Sequence, residues 1–185
     1  IRDEDIEFEF NERRETWLFH DFDRIFDILA TATDSARRKY DVFGHSAGGQ
    51  ILHRLALFQP NTRADRIIAA NSGFYTLPRL DVPLPFGLKD TGITKASLAA
   101  SLALNLTLLL GGEDDDPDKG GRHLHTPLAD QQGLGRLSRG RYFFETGMRQ
   151  ARELAVSCNW KLEVVPGVGH DGEAMGRAAA RYLYS

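Results

Sequence analysis

The chain has 185 residues, 42% hydrophobic and 26% charged, which is enough apolar material for one globular domain over 1–185, with no break in composition to divide it. A net charge of -3 gives no basic footprint for nucleic acid, and no apolar run approaches the roughly 20 residues of a membrane-spanning helix. The single cysteine, Cys158, excludes an intrachain disulfide and is expected to be a small packed side chain. Ile1 rather than Met opens the chain and nothing after it resembles a signal peptide, so the N-terminus is expected to be processed, trimmed or incomplete.

In chain order, Ile6, Phe8 and Phe10 alternate with Glu7 and Glu9, the period-two pattern of a half-buried strand, with a solvated acidic arm as the alternative. From Thr16, an expected N-cap, to about Ala32, the positions Leu18, Phe22, Ile25, Phe26 and Leu29 place one apolar stripe on a helix. The basic trio Arg37, Arg38 and Lys39 reads as a solvated helix end. Residues 40–49 then read as a short buried strand, a corner of small residues holding one serine, and the start of an amphipathic helix. That helix carries Ile51, Leu55 and Phe58 on one face and must stop before Pro60, which lacks the amide to continue it.

Residues 67–70 form a second apolar run, bounded by Asn71, Ser72 and Gly73. Residues 74–93 are too broken by proline for regular structure and too aromatic for an ordinary loop. They are expected to supply a substrate-pocket wall or lid, with Phe74 and Tyr75 in the pocket; packing on the core is the alternative. A third strand carries Leu104, Leu106, Leu108 and Leu110 and ends at Gly111 and Gly112, running into the acidic stretch 113–118. Residues 119–140 form a second expected pocket or lid excursion. A helix over about 141–156, a fourth strand over 161–165, a Pro-Gly-x-Gly turn before His170 and a helix over 172–184 complete the chain.

Strands alternating with helices at these spacings predict the α/β class, a mostly parallel sheet with helices on both faces. Chemistry in such sheets sits at the carboxyl ends of the strands. Ser46, the acidic stretch and His170 each fall just past one. A serine hydroxyl is a weak nucleophile that needs an imidazole in reach, itself oriented by a third group. His170 is the expected base, because its glycine-rich turn lets the loop fold back over the strand ends. His45, at i−1 on so sharp a turn, points elsewhere and is assigned to the substrate pocket. For the third group the positions past the strand leave Asp114 or Asp116, with Asp115 behind them.

Two metal readings fail on residue type. Asp114, Asp116 and Asp118 match the start of a calcium loop, but Lys119 stands where glycine belongs and His125 where the last glutamate belongs. His123 and His125 form a His-x-His pair without the further ligands zinc requires. No metal and no cofactor is expected.

Gly44-His45-Ser46-Ala47-Gly48-Gly49 after a strand, the strand end Gly111-Gly112-Glu113-Asp114, and Val168-Gly169-His170-Asp171 near the C-terminus together resemble the α/β-hydrolase family, in the family's order of serine, aspartate and histidine. The similarity covers roughly residues 17–185, the second half of that fold, with its N-terminal strands expected to be lacking. It implies a serine hydrolase that cleaves carboxylic esters in a small-molecule acyl substrate through an acyl-enzyme, with the Ala47 amide as one oxyanion donor. An amidase or peptidase on the same residues is the near alternative. The family's second oxyanion donor normally lies on a loop after an early strand. Only about forty residues precede the corner here, none of them glycine, so that donor is unassigned. A missing N-terminal segment, or a pared-down, non-catalytic binding domain, would account for the departure.

Overall fold

The computed structural model describes residues 17–121 and 124–184. The expected strand around Ile6, Phe8 and Phe10, the Thr16 cap and His123 lie outside the described residues. Four strands, β1 (Tyr40–His45), β2 (Ala64–Ala70), β3 (Leu106–Gly111) and β4 (Lys161–Val165), form one sheet in the order β1-β2-β3-β4, and every neighbouring pair is parallel. The helices are α1 (Phe19–Ala32), α2 (Ala47–Phe58), α3 (Lys95–Leu102), α4 (Pro127–Asp130), α5 (Arg136–Leu154) and α6 (Gly172–Tyr184).

The apolar runs of β2 and β3 are continuous because both faces of the sheet are covered. Ile67, Ala69, Leu106, Leu108 and Leu110 point into one core with Leu52 and Leu55 of α2, Leu98 and Leu102 of α3, and Phe143 of α5. Ile68, Ala70 and Leu109 point the other way, onto Met175 and Ala179 of α6. Each fully buried Leu or Ile contributes about 1.5–3 kcal/mol, so this two-sided burial is the main restraint on the strand ends that carry the site.

Three expectations need correction. The stripe on α1 is only partly buried: Trp17 and Phe19 pack on Phe58 and Phe26 lies on Tyr40, but Ile25 and Leu29 are 54% and 57% exposed. Polar ties complete its seating, among them Tyr40 donating to Asp23 at 2.8 Å and Arg63 pairing with Asp27. The helix α3 was not expected. Its signal is the reciprocal cap in which Thr94 Oγ1 accepts from Ser97 N–H at 3.2 Å and Ser97 Oγ accepts from Thr94 N–H at 2.8 Å. Finally, α5 starts at Arg136, about five residues earlier than its apolar spacing suggests, because Gly135 and Ser138 cap it and Asp115 Oδ1 accepts from Ser138 N–H at 2.8 Å.

The α2 helix crosses β2 at close range through Gly49. A Cβ at this position would lie 2.5 Å from the Ala70 carbonyl oxygen and 2.8 Å from Ser72 Oγ, whereas one at Gly48 would meet nothing within 4 Å. Gly49→Ala is therefore expected to destabilise the fold by about 1–3 kcal/mol in urea unfolding. Gly48→Ala, inside the same helix, is expected to be neutral or to stabilise by up to about 1 kcal/mol. Equal shifts for the two variants would contradict the close-packing account.

Candidate active site

Ser46 is the single residue between β1 and α2, at φ 56° and ψ −115°, left-handed for a residue with a side chain. Such backbone strain costs on the order of 1–3 kcal/mol and must be held by its surroundings. Ser46 N–H donates to the Ala70 carbonyl at 2.9 Å, and the Ser46 carbonyl accepts from Gln50 N–H at 3.0 Å. Gly44 permits the turn, since a Cβ there would sit 2.6 Å from the Gly48 carbonyl. The turn places Ser46 directly past the carboxyl end of β1.

His170 reaches it from the loop after β4, with Nε2 3.1 Å from Ser46 Oγ. On its other side, Nδ1 lies 2.7 Å from Asp114 Oδ2. A carboxylate only accepts, so Nδ1 carries the proton and Nε2 is left to accept from the serine hydroxyl. Asp114 is buried just past β3, its carbonyl accepting from Leu137 N–H at 2.9 Å.

Asn71 joins the loops that carry these groups. From φ 46° past the end of β2, its Oδ1 accepts from Gly111 N–H at 2.8 Å and its Nδ2 donates to the Gly169 carbonyl at 3.2 Å. Glu113 N–H donates to the Val168 carbonyl at 2.9 Å, a second tie between the Asp114 and His170 loops. In the sequence, Asn71 marked only a strand boundary.

Comparison with protein-family models and with curated proteins finds no match. Among solved structures, the chain is similar to poly(aspartic acid) hydrolase-1 from Sphingomonas sp. KT-1, at 38% identity and a TM-score of 0.90 over 94% of this chain and 66% of that one. It is also similar to LpqC, a poly(3-hydroxybutyrate) depolymerase from Bordetella parapertussis, at 35% identity and a TM-score of 0.86 over 94% of this chain and 58% of that one. The chain belongs to the α/β-hydrolase family. It spans 66% and 58% of these two neighbours.

The remaining candidate site residues fall in different places. The carboxylate on His170 Nδ1 is that of Asp114, whereas Asp116 accepts from Asp118 N–H at 3.0 Å and pairs with Lys119 at 3.2 Å. Asp115 caps α5. Ala47 is the first residue of α2, where backbone N–H groups have no intrahelical acceptor. His45 is half-buried with its ring 4.5 Å from that of His170; burial first, and the neighbouring imidazole second, hold its pKa down. His125 Nδ1 lies 2.9 Å from Asp130 Oδ1. Among the described residues no group of three or more His, Cys, Asp or Glu is placed to hold a metal ion, and no helix is long and apolar enough to cross a membrane.

Phe74 and Tyr75, assigned from the sequence to a pocket, lie inside the core. Phe74 packs on Phe86, and Tyr75 stacks on Phe143 with ring centroids 4.8 Å apart; burial pushes the Tyr75 hydroxyl up to about 12. Their segment is held to α2 by buried His53, whose Nε2 accepts from Thr76 N–H at 3.0 Å while Nδ1 faces the Gly49 carbonyl at 3.1 Å. Burial drives the pKa of His53 well down, which keeps its Nε2 an acceptor. The 119–140 segment is tied to the same place. Gln132 brackets Tyr75, accepting from its N–H at 2.9 Å and donating to its carbonyl at 2.7 Å, and buried Arg139 donates to the carbonyls of Gly73, Leu124 and Gly133. An open cavity of about 550 Å³ lined by Arg79, Asp81, Lys95, Tyr142 and Arg149, among others, includes none of the Ser46, His170 and Asp114 group.

Proposed function

We propose that this chain carries the catalytic residues of a serine hydrolase that cleaves carboxylic esters through an acyl-enzyme. The observation that carries the reading is the continuous hydrogen-bonded line from Ser46 Oγ to His170 Nε2 at 3.1 Å and from His170 Nδ1 to Asp114 Oδ2 at 2.7 Å. In this reading Ser46 Oγ attacks the acyl carbon as its proton passes to His170 Nε2. Asp114 holds the imidazole in the tautomer that can accept that proton and stabilises the imidazolium. The Ala47 amide, at the positive end of α2, donates to the developing oxyanion. His170 then gives the proton to the departing alkoxide, the alcohol leaves, and water repeats the sequence to free the acid and restore Ser46.

Both similar structures are named for enzymes that break down polymers, one a poly(aspartic acid) and the other a poly(3-hydroxybutyrate). Their names support an acyl linkage within an oligomer as the bond attacked. The depolymerase favours the ester, and the poly(aspartic acid) hydrolase keeps amide cleavage as a second reading. A fluorophosphonate probe tests the common chemistry: one label per chain is expected, at Ser46 by peptide mass spectrometry. A chain that stays unlabelled under conditions that label a control serine esterase would favour a non-catalytic binding domain. Parallel assays on a nitrophenyl ester and the matching anilide separate the two bond types.

A further inference from the structure

The proposed relay uses only one oxygen of Asp114. The other, Oδ1, accepts from Arg136 Nη1 at 3.2 Å, and the two side chains are 2% and 3% exposed. The same guanidinium approaches the Lys119 carbonyl at 3.5 Å through Nη1 and donates to the Gly120 carbonyl at 2.8 Å through Nη2. Gly120 sits at φ 75°, and a Cβ on it would run into the Cβ of His170 and come within 2.9 Å of Arg136 Nη1. The Gly120 backbone is therefore seated against the base. One side chain on α5 holds both the acid beside His170 and the main chain that covers it.

From this juxtaposition we infer that Arg136 is a positioning residue, aligning Asp114 with His170 and keeping Gly120 against the imidazole. The inference rests on the reading of Ser46, His170 and Asp114 as hydrolytic machinery. A carboxylate free to turn about its Cβ–Cγ bond can present either oxygen, or neither, to the imidazole. A planar, always-charged guanidinium that is itself anchored to two carbonyls removes that freedom. A buried ion pair alone is weak evidence for stability. Here the second amino group spans to the loop over His170, so the pair orients the site. Misplacement of a reacting group by about 1 Å costs roughly 10²-fold in rate, which sets the expected size of the effect.

The test compares the parent chain with Arg136→Gln and Arg136→Lys. It measures kcat per fluorophosphonate-titrated site, KM for a short-chain nitrophenyl ester, and the low-field N–H proton resonance of His170. Titration removes any loss due to unfolded protein. In Arg136→Gln, kcat per titrated site is expected to fall about 10²-fold with KM within about threefold, and the resonance to vanish. In Arg136→Lys, which keeps the charge but not the fork, about tenfold of that loss should return. A kcat per titrated site within about threefold of the parent in Arg136→Gln, with the resonance retained, overturns the inference.

Should Arg136→Gln not fold, Arg136→Lys decides by the same measures: about tenfold lower kcat at unchanged KM is expected, and parent-like kcat overturns the inference. If the parent neither labels nor turns over ester, the hydrolase reading fails by itself. The resonance then still judges Arg136. Its loss in Arg136→Lys or Arg136→Gln, with retention in Ser46→Ala, upholds the positioning role, and its retention in all of them removes it.

Discussion

Ser46→Ala is expected to lower turnover of a short-chain nitrophenyl ester by on the order of 10⁶-fold, the scale of nucleophile removal in a serine protease. The change removes the only hydroxyl within hydrogen-bond distance of His170 Nε2 among the described residues, and with it the proposed attacking oxygen. It leaves the corner standing. The bonds that hold residue 46 at its left-handed φ are main-chain ones, to the Ala70 carbonyl and from Gln50 N–H, and alanine keeps both. Unfolding free energy should stay within about 1 kcal/mol of the parent. Nitrophenolate release and a urea melt on the same preparation check both halves. Turnover within tenfold of the parent would mean that the reaction does not pass through Ser46.

The second large effect separates the two aspartates. Asp114→Asn is expected to lower kcat by about 10⁴-fold, as loss of the orienting carboxylate does in serine proteases. An amide facing His170 Nδ1 can donate its own N–H, which drives the imidazole proton to Nε2, where it can no longer accept from Ser46. The same change deprives Arg136 of its ionic partner in a buried setting, a loss of roughly 3–5 kcal/mol when nothing compensates. The bonds from Arg136 to the Lys119 and Gly120 carbonyls lessen that loss. Rates should accordingly be expressed per titrated site. Asp116→Asn is expected to stay within about threefold of the parent, since Asp116 faces Lys119 and the Asp118 amide. A larger loss at position 116 than at 114 would reverse the assignment of the acid.

Much of this molecule is written in short-range pattern. Apolar runs of strand length, helical spacings between them and small residues at the turns are properties of ten to fifteen neighbouring residues. They are enough to place a parallel α/β sheet, the corner at Ser46 and the glycine-rich turn before His170. The reciprocal cap of Thr94 and Ser97 belongs to the same local grammar and marks a helix that apolar spacing alone passes over. The exposure of Ile25 and Leu29 shows the limit of that grammar: periodicity reports that a helix has an apolar face, and only the neighbours decide whether it is covered.

By itself, then, the sequence determined the fold class and singled out Ser46, His170 and a pair of aspartates as candidates for the site. The tertiary structure decided what depends on chains meeting from far apart: Ser46 and His170 across 124 positions, His170 and Asp114 across 56, Arg136 and Asp114 across 22. The acidic stretch offers chemically equal carboxylates, and which one is buried against an imidazole depends on how the loop turns after β3 and where α5 begins. Phe74 and Tyr75 read as pocket residues until the stacking on Phe143, the bracket from Gln132 and the anchor at His53 place them in the core. Hydrophobic pattern is local because it follows backbone period, whereas hydrogen-bond partners are chosen by the geometry of loops packed together, which no single segment encodes.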